Sequence, residues 1–169
     1  MILSILEHTP VWVWVLFCAL MALGISQTRT RDVSVARATA LPVVMVALSL
    51  SGVLSAFGLI ALALGAWGVG LGVSLRLAGQ AMAIRGASWS ARTRLFRVPG
   101  SFIPVILILG VFMTKYVAGA MLAINPSLAA NVSVAVVLSL VYGVFAGLFW
   151  ARARSLRALM REGGSGLPA

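Results

Sequence analysis

The sequence predicts an all-α, polytopic membrane protein whose five transmembrane helices form one bundle, with the N-terminus outside and the C-terminus inside. The first observation is composition: 62% of the 169 residues are hydrophobic and only 9% are charged, whereas soluble domains carry about 25% charged residues. The second is a series of apolar runs, each long enough to cross a bilayer. The third is charge placement, because the arginines cluster between those runs.

The first span is predicted at about 10–28. Thr9 is a suitable N-cap and Pro10 suits the first helical position, where its missing N–H costs nothing. The run ends where the basic and polar letters R-T-R-D begin, at 29–32.

Spans two and three share one uncharged run from 38 to 75. A single helix of that length would measure about 57 Å, nearly twice the thickness of the hydrocarbon core. The run therefore contains a tight hairpin, best placed at S-A-F-G, 55–58, because glycine accepts turn conformations. The predicted spans are 38–56 and 58–77.

A basic segment at 79–100 separates the third span from the fourth, and it is predicted to be cytoplasmic. Its arginines are expected to contact anionic lipid headgroups; they are Arg85, Arg92, Arg94 and Arg97. Two interpretations stay open. The segment forms a short hairpin on the membrane with Trp89 and Phe96 at the interface, or it is a solvated loop that only enforces topology.

The last two spans are predicted at 101–123 and 132–151. Ser101 can cap the fourth, Pro104 suits its first turn, and Asn125–Pro126 ends it. Residues 1–152 thus form a single transmembrane domain, followed by a basic and then flexible cytoplasmic tail at 153–169.

Charge clusters follow only the odd-numbered spans, so all the arginines fall on one side of the membrane. The positive-inside rule makes that side cytoplasmic. The chain is therefore expected to be a multi-pass protein of the bacterial inner membrane, with the lipid bilayer as its main partner.

Small residues mark two helix-packing surfaces. Span five carries Ser139, Gly143 and Gly147 at four-residue spacing, and span three carries Gly68 and Gly72. Such spacing lets helix backbones approach closely in lipid. The surfaces serve packing within the bundle, or contact with a second copy or another membrane protein.

Lys115, the only lysine, lies inside the apolar run of span four. An intramembrane charge is costly and seeks a partner. Matching depths across the spans predicts a polar cluster in the outer half of the membrane, whose members are Lys115, Tyr142, Tyr116, Ser49, Ser51, Glu7 and His8. The cluster either fixes helix register through a hydrogen bond or binds an anion or another ligand.

The residues speak against several functional classes. With one cysteine and one histidine, the chain supplies neither a Cys-x-x-Cys redox pair nor a histidine metal cluster. No carboxylate pair or Ser-His-acid set is within reach of the spans, so no enzyme and no cofactor are expected. The basic residues flank apolar runs and build no separate domain, which argues against nucleic acid as a partner.

Short motifs along nearly the whole chain carry a resemblance. They are H-T-P at 8–10, Q-T-R at 27–29, L-P at 41–42, G-V-L-S-A-F-G at 52–58, V-P-G-S at 98–101, T-K-Y at 114–116 and N-P at 125–126. They resemble a family of small five-helix bacterial inner-membrane proteins known only as a domain of unknown function. The architecture is similar, more distantly, to the CcdC-like membrane proteins. The resemblance implies no activity, but it places T-K-Y within the family pattern and so favours a role for Lys115.

The expected function is that of a non-enzymatic accessory or assembly protein acting by helix–helix contacts. The alternative is a small transporter or ligand-binding membrane protein that uses the polar cluster around Lys115.

Overall fold

The computed structural model describes residues 11–79 and 82–164. Within these residues the chain is mostly helical, with five α-helices and one 3-10 turn. In chain order they are α1 (Val11–Ser26), α2 (Val35–Phe57), α3 (Ala61–Leu77), α4 (Ile103–Ile124), the 3-10 turn (Pro126–Ala130) and α5 (Val132–Gly164). Each predicted span corresponds to one helix.

Three of the described helices are long and apolar enough to cross a membrane, which makes this a membrane protein. They are α2, α4 and the Val132–Arg161 portion of α5. The apolar stretch of α1 and the whole of α3 are shorter, at Val13–Ser26 and Ala61–Leu77.

The boundary between α2 and α3 lies where the sequence places it. Ser34 caps the start of α2 by accepting a hydrogen bond from the Arg37 N–H. At the other end Gly58 has φ +66°, in the left-handed region that glycine adopts without steric cost, and its N–H bonds to the Leu54 carbonyl. The uncharged run is therefore two helices joined at Gly58.

Helix α5 continues well past the predicted end of span five at 151. It has 33 residues, about 50 Å of helix against a hydrocarbon core of about 30 Å. The basic tail predicted from residue 153 therefore begins as an extension of the helix. Arginine is a good helix former, and Leu156 gives the extension a buried apolar contact.

A three-stranded antiparallel sheet corrects the prediction of an all-α fold. Its strands are β1 (Arg31–Ser34), β2 (Ser88–Ser90) and β3 (Leu95–Val98), in the spatial order β1-β3-β2. The β2–β3 pair is the hairpin offered as one interpretation of the basic segment, but its Phe96 is fully buried in the protein and does not lie at the membrane interface as that interpretation expected. Strand β1 was not predicted, because four residues after a membrane span carry too little pattern to indicate a strand whose partner lies more than fifty residues away.

The sheet packs against the extension of α5. Val33, Phe96 and Val98 form a buried cluster with Leu156, and the Trp89 ring lies 4.6 Å from that of Phe96. Burial of these side chains stabilises the contact by the hydrophobic effect. The basic segment is thus a folded module and not a solvated loop.

Helix α5 is the centre of the helical part and packs against α2, α3 and α4. One cluster of buried side chains joins α2, α4 and α5; it comprises Met45, Leu107, Ile108, Val111 and Phe149. A second joins α2, α3 and α5 and comprises Val53, Phe57, Ala63, Ala135 and Tyr142. Helix α1 packs on α4, where the rings of Phe17 and Phe112 lie 5.1 Å apart.

Candidate functional site

A buried hydrogen-bonded chain joins three helices at Ser49. The indole N–H of Trp67 on α3 donates to Ser49 Oγ at 3.0 Å, and Ser49 Oγ donates to the Tyr142 carbonyl on α5 at 2.7 Å. Ser49 is fully buried and Tyr142 is 1% exposed. The indole N–H of Trp67, the Ser49 hydroxyl and the Tyr142 carbonyl thus all have hydrogen-bond partners, as buried polar groups require in apolar surroundings.

The Tyr142 ring fills the space that Gly52 leaves on α2. A β-carbon at Gly52 would lie 3.0 Å from Cζ of the ring and 3.3 Å from its hydroxyl oxygen. The ring therefore sits directly on the α2 backbone, which fixes how closely α2 and α5 approach.

Lys115 meets only one of its predicted partners in the described residues. Its Nζ lies 3.4 Å from Ser51 Oγ, and Ser51 itself donates to the Leu48 carbonyl at 2.8 Å. No hydrogen bond joins Lys115 to Tyr142 in the described part of the chain. Ser49 and Ser51 are two residues apart, which is about 200° around a helix, so their hydroxyls face different sides of α2.

The other predicted members of the polar cluster are placed as follows. Tyr116 stacks on Phe112 of the same helix, with ring centroids 6.3 Å apart. Glu7 and His8 lie outside the described residues. The structure therefore divides the cluster into an outward pair, Lys115 with Ser51, and the buried chain at Ser49. Trp67 was missed, because nothing in the sequence distinguishes a tryptophan that donates a hydrogen bond from one that only packs.

The small residues of α5 interlock with α3. A β-carbon at Gly143 would collide with the Trp67 carbonyl, and one at Gly147 would lie 2.5 Å from the Leu71 carbonyl. From the other side, a β-carbon at Gly70 would collide with the Leu140 carbonyl. The α5 glycines thus serve packing within the bundle, the first of the two interpretations offered for them.

Ser139, the third predicted packing residue of α5, is fully buried. Its Oγ has no hydrogen-bond partner among the described residues. A buried hydroxyl without a partner is destabilising, so the Ser139 hydroxyl itself adds no stability to this packing surface.

Gly68 and Gly72 do not pack on another helix among the described residues, so for them the first of the two interpretations is excluded and contact with a second copy or another membrane protein stays open. Both are exposed, and a β-carbon at either would meet nothing within 4 Å. The same holds for Gly65, one turn earlier. Helix α3 therefore carries two glycine surfaces: Gly70 faces α5, and the other three face outward.

The basic residues of the predicted lipid-contacting segment surround the sheet module. Arg85, Arg92, Arg94 and Arg97 are all exposed. Arg97 stands opposite Asp32 on the outer face of the sheet, and Arg94 occupies the left-handed region just before β3 with φ 53°. All four arginine side chains are thus on the surface of the module.

Among the described residues no group of three or more potential metal ligands comes together. A shallow apolar cleft lies between the start of α3 and the start of α5, lined among others by Ile60, Ala63 and Ala135. Its polar residue, Asn131, is occupied in capping α5 by accepting from the Ser133 N–H at 2.9 Å. The features that remain as candidates for function are the closely packed glycine surfaces and the exposed arginines of the sheet module.

Comparison with known proteins places this arrangement in a family. The model of a family of unknown function, DUF6622, matches residues 1–165. No curated protein and no solved structure matches the chain. The predicted resemblance to a domain of unknown function is thereby confirmed, and no likeness to the CcdC-like proteins is found. The chain belongs to the DUF6622 family.

Proposed function

We propose that this DUF6622 membrane protein is a non-enzymatic accessory or assembly protein that acts by helix–helix contacts, with α3 as its contact helix. The supporting observation is the outward glycine surface of α3, formed by Gly65, Gly68 and Gly72. A β-carbon added at any of these three glycines would have no other atom within 4 Å. In lipid, helix association depends on close packing at small residues, and Gly-x-x-x-Gly spacing is a recurrent contact surface.

The surroundings of this surface favour a lateral contact. Val69 and Val73 lie along one edge of the glycines and are 58% and 49% exposed, so a neighbouring helix would pack beside branched side chains onto bare backbone. The opposite face of α3 is held on α5 by Gly70 and by Ser74, which is buried and donates to the Gly70 carbonyl. Docking of a further helix on the open face therefore need not disturb the bundle.

The proposed setting is the bacterial inner membrane, crossed five times, with the N-terminus outside and the C-terminus in the cytoplasm. The 16 residues of α1 and 17 of α3 give about 24–26 Å of helix, a mismatch that local bilayer thinning accommodates. Reporter fusions test this topology. A cytoplasmic reporter should be active after the C-terminus and a periplasmic reporter in the 58–60 turn, and the reverse pattern would refute the proposed orientation.

Photo-crosslinking in native membranes tests the contact itself. A photoreactive amino acid replaces Val69 beside the outward glycines or, as the control, Val117 on α4, which is 50% exposed. We expect a discrete protein adduct from position 69 only, lost when Gly68→Leu is added. An adduct of twice the chain mass would identify a second copy, and one of another mass a different membrane protein. Equal adducts at both positions, or none at 69, would contradict the proposal.

A further inference from the structure

One charged side chain points to the inner, apolar side of the sheet. Residues two apart in a strand share a face, and directly opposed residues share it too. Arg31 therefore shares a face with Val33, two residues along, and with its cross-strand partner Val98. Both valines are 6% exposed and belong to the cluster that packs on α5, so the Arg31 side chain is directed toward α5.

The Arg31 guanidinium is held in place at the end of α1. Its Nη2 donates to Gln27 Oε1 at 2.7 Å and its Nη1 donates to the Ser26 carbonyl at 3.2 Å. Gln27 is 7% exposed, and its own carbonyl accepts from the Ser101 N–H at the start of α4. A guanidinium has five N–H donors, so these bonds orient the group and leave donors for a further acceptor.

A second arginine approaches from α5. Arg152 lies one helical turn before Leu156, and residues four apart occupy the same face of a helix. Since Leu156 is buried against the sheet, Arg152 is brought to the same junction. Burial lowers the pKa of Arg152, and the positive charge of Arg31 lowers it further; burial also lowers the pKa of Arg31. Both groups stay charged at neutral pH.

The described residues supply no acid to compensate this pair. The chain has three acidic residues, Glu7, Asp32 and Glu162. Asp32 follows Arg31 in β1, so it points to the other face of the sheet, where it is exposed opposite Arg97. Glu162 is ten residues beyond Arg152 on the same helix, about 15 Å along its axis, and Glu7 is outside the described residues. Two partly buried like charges destabilise the fold unless an anion lies between them.

The position of the pair indicates which anion. Gln27 directly follows α1, and Arg152 is the first residue beyond the predicted fifth span. Lipid phosphate groups lie at this boundary between apolar and basic segments. The planar guanidinium group of arginine binds phosphate oxygens through paired, charge-assisted hydrogen bonds. We propose that Arg31 and Arg152, with Gln27 orienting Arg31, bind the phosphate group of an anionic phospholipid where the sheet module meets the membrane helices.

This site differs from the general basic surface. Arg92 and Arg94 are exposed and attract headgroups only by screened, long-range charge. Arg31 and Arg152 are half-buried and come from separate elements, so a phosphate bound to both would hold the sheet against α5. The site does not depend on the proposed contacts of α3.

Native mass spectrometry of the purified full-length protein in detergent tests the site. The probes are phosphatidylglycerol and phosphatidylcholine, whose phosphate is neutralised by its own choline. We expect retention of phosphatidylglycerol, with affinity falling about tenfold or more in Arg31→Gln and Arg152→Gln, since each removes a charge-assisted contact. The matched control is Arg154→Gln, which removes the same charge from an exposed position of the same helix and should leave affinity within about twofold.

Three results would overturn the proposal. An equal loss in Arg154→Gln would show that only diffuse charge matters and would overturn the proposal. So would equal binding of the two lipids together with displacement by millimolar inorganic phosphate, which would assign the site to a soluble anion. Where a glutamine variant does not fold, Arg152→Lys and Arg31→Lys retain the positive charge but lose the paired N–H donors of the guanidinium group. These should fold and still bind phosphatidylglycerol more weakly, and wild-type affinity in both would contradict the proposal.

Discussion

Trp67 on α3 donates its indole N–H to the hydroxyl of Ser49 on α2, over 3.0 Å. Ser49 in turn donates to the Tyr142 carbonyl, so one small hydroxyl connects α2, α3 and α5. In an apolar environment such a group has no water to replace a missing partner. These hydrogen bonds and the glycine contacts between α3 and α5 therefore fix how α2, α3 and α5 pack together.

Replacing Ser49 by alanine is expected to destabilise the protein by about 1–2 kcal/mol, because the indole N–H of Trp67 is left without its acceptor. The measurement is unfolding in mixed detergent micelles, followed by tryptophan fluorescence. Ser51→Ala is the control, since Ser51 is exposed, and it should change stability by less than about 0.5 kcal/mol. Equal stability of the two variants would show that the Ser49 bonds contribute nothing.

Ser139→Ala is expected to leave stability unchanged or raise it by up to about 1 kcal/mol. The hydroxyl is buried without a partner in the described residues, so its removal relieves a desolvation cost. Ser74→Ala is the contrasting variant, because Ser74 Oγ is also buried but donates to the Gly70 carbonyl at 2.8 Å. A clear loss of stability in Ser139→Ala under the same assay would indicate a partner for this hydroxyl.

Gly143→Leu is expected to prevent normal packing of α3 on α5 and to reduce folded yield severely, since even one β-carbon would collide with the Trp67 carbonyl. Gly68→Leu adds the same side chain to the outward surface of α3, where a β-carbon meets nothing, and should keep wild-type yield. Size-exclusion chromatography in detergent reports both. A normal elution profile for Gly143→Leu would contradict the packing described here.

Lys115→Met is expected to keep or increase stability, because an ammonium on an apolar helix is costly and its bond to Ser51 is long at 3.4 Å. Thermal unfolding in detergent measures the change, and deletion-strain complementation measures function. A loss of more than about 1 kcal/mol would show a structural hydrogen bond. Normal stability with lost complementation would support the ligand-binding alternative.

Phe96→Ala is expected to detach the sheet from the extension of α5, since Phe96 is fully buried in that contact and loss of a core phenylalanine costs about 3–5 kcal/mol. Limited trypsin digestion should then cut at Arg92 and Arg94 much faster than in wild type. Ser88→Ala, at an exposed position of β2, is the control. Unchanged digestion of Phe96→Ala would mean that the module is held by other contacts.

Much of the helical architecture could be predicted from local features of the sequence. Run length separated α2 from α3, and the glycine needed for the turn located the break at Gly58, where φ is +66°. The β2–β3 hairpin was visible as one of two interpretations, because Trp89 and Phe96 are apolar aromatic residues within a basic, polar segment. The helix extension beyond 151 was hidden, since its apolar contact is with residues distant in sequence.

The predicted polar cluster shows what residue depth along a membrane span cannot predict, namely which side of its helix each residue occupies. Depth along a span follows from counting residues, so Lys115 and Ser51 were named as potential neighbours, and Nζ of Lys115 lies 3.4 Å from Ser51 Oγ. The rotation of each helix about its axis depends on which neighbour it packs against, and a difference of two residues sends Ser49 and Ser51 to different sides of α2. Gly68 and Gly72 faced outward for the same reason, while Gly70 met α5.

The sequence alone determined that this is a membrane protein and, to within about three residues, where its helices begin, because apolar length, caps and glycine turns act locally. The tertiary structure decided which helix faces touch, that β1 joins the distant β2–β3 hairpin, and that the sheet packs on the extension of α5. Those relationships depend on contacts between segments far apart in the chain. Close packing selects them, and a local pattern of residue types does not record them.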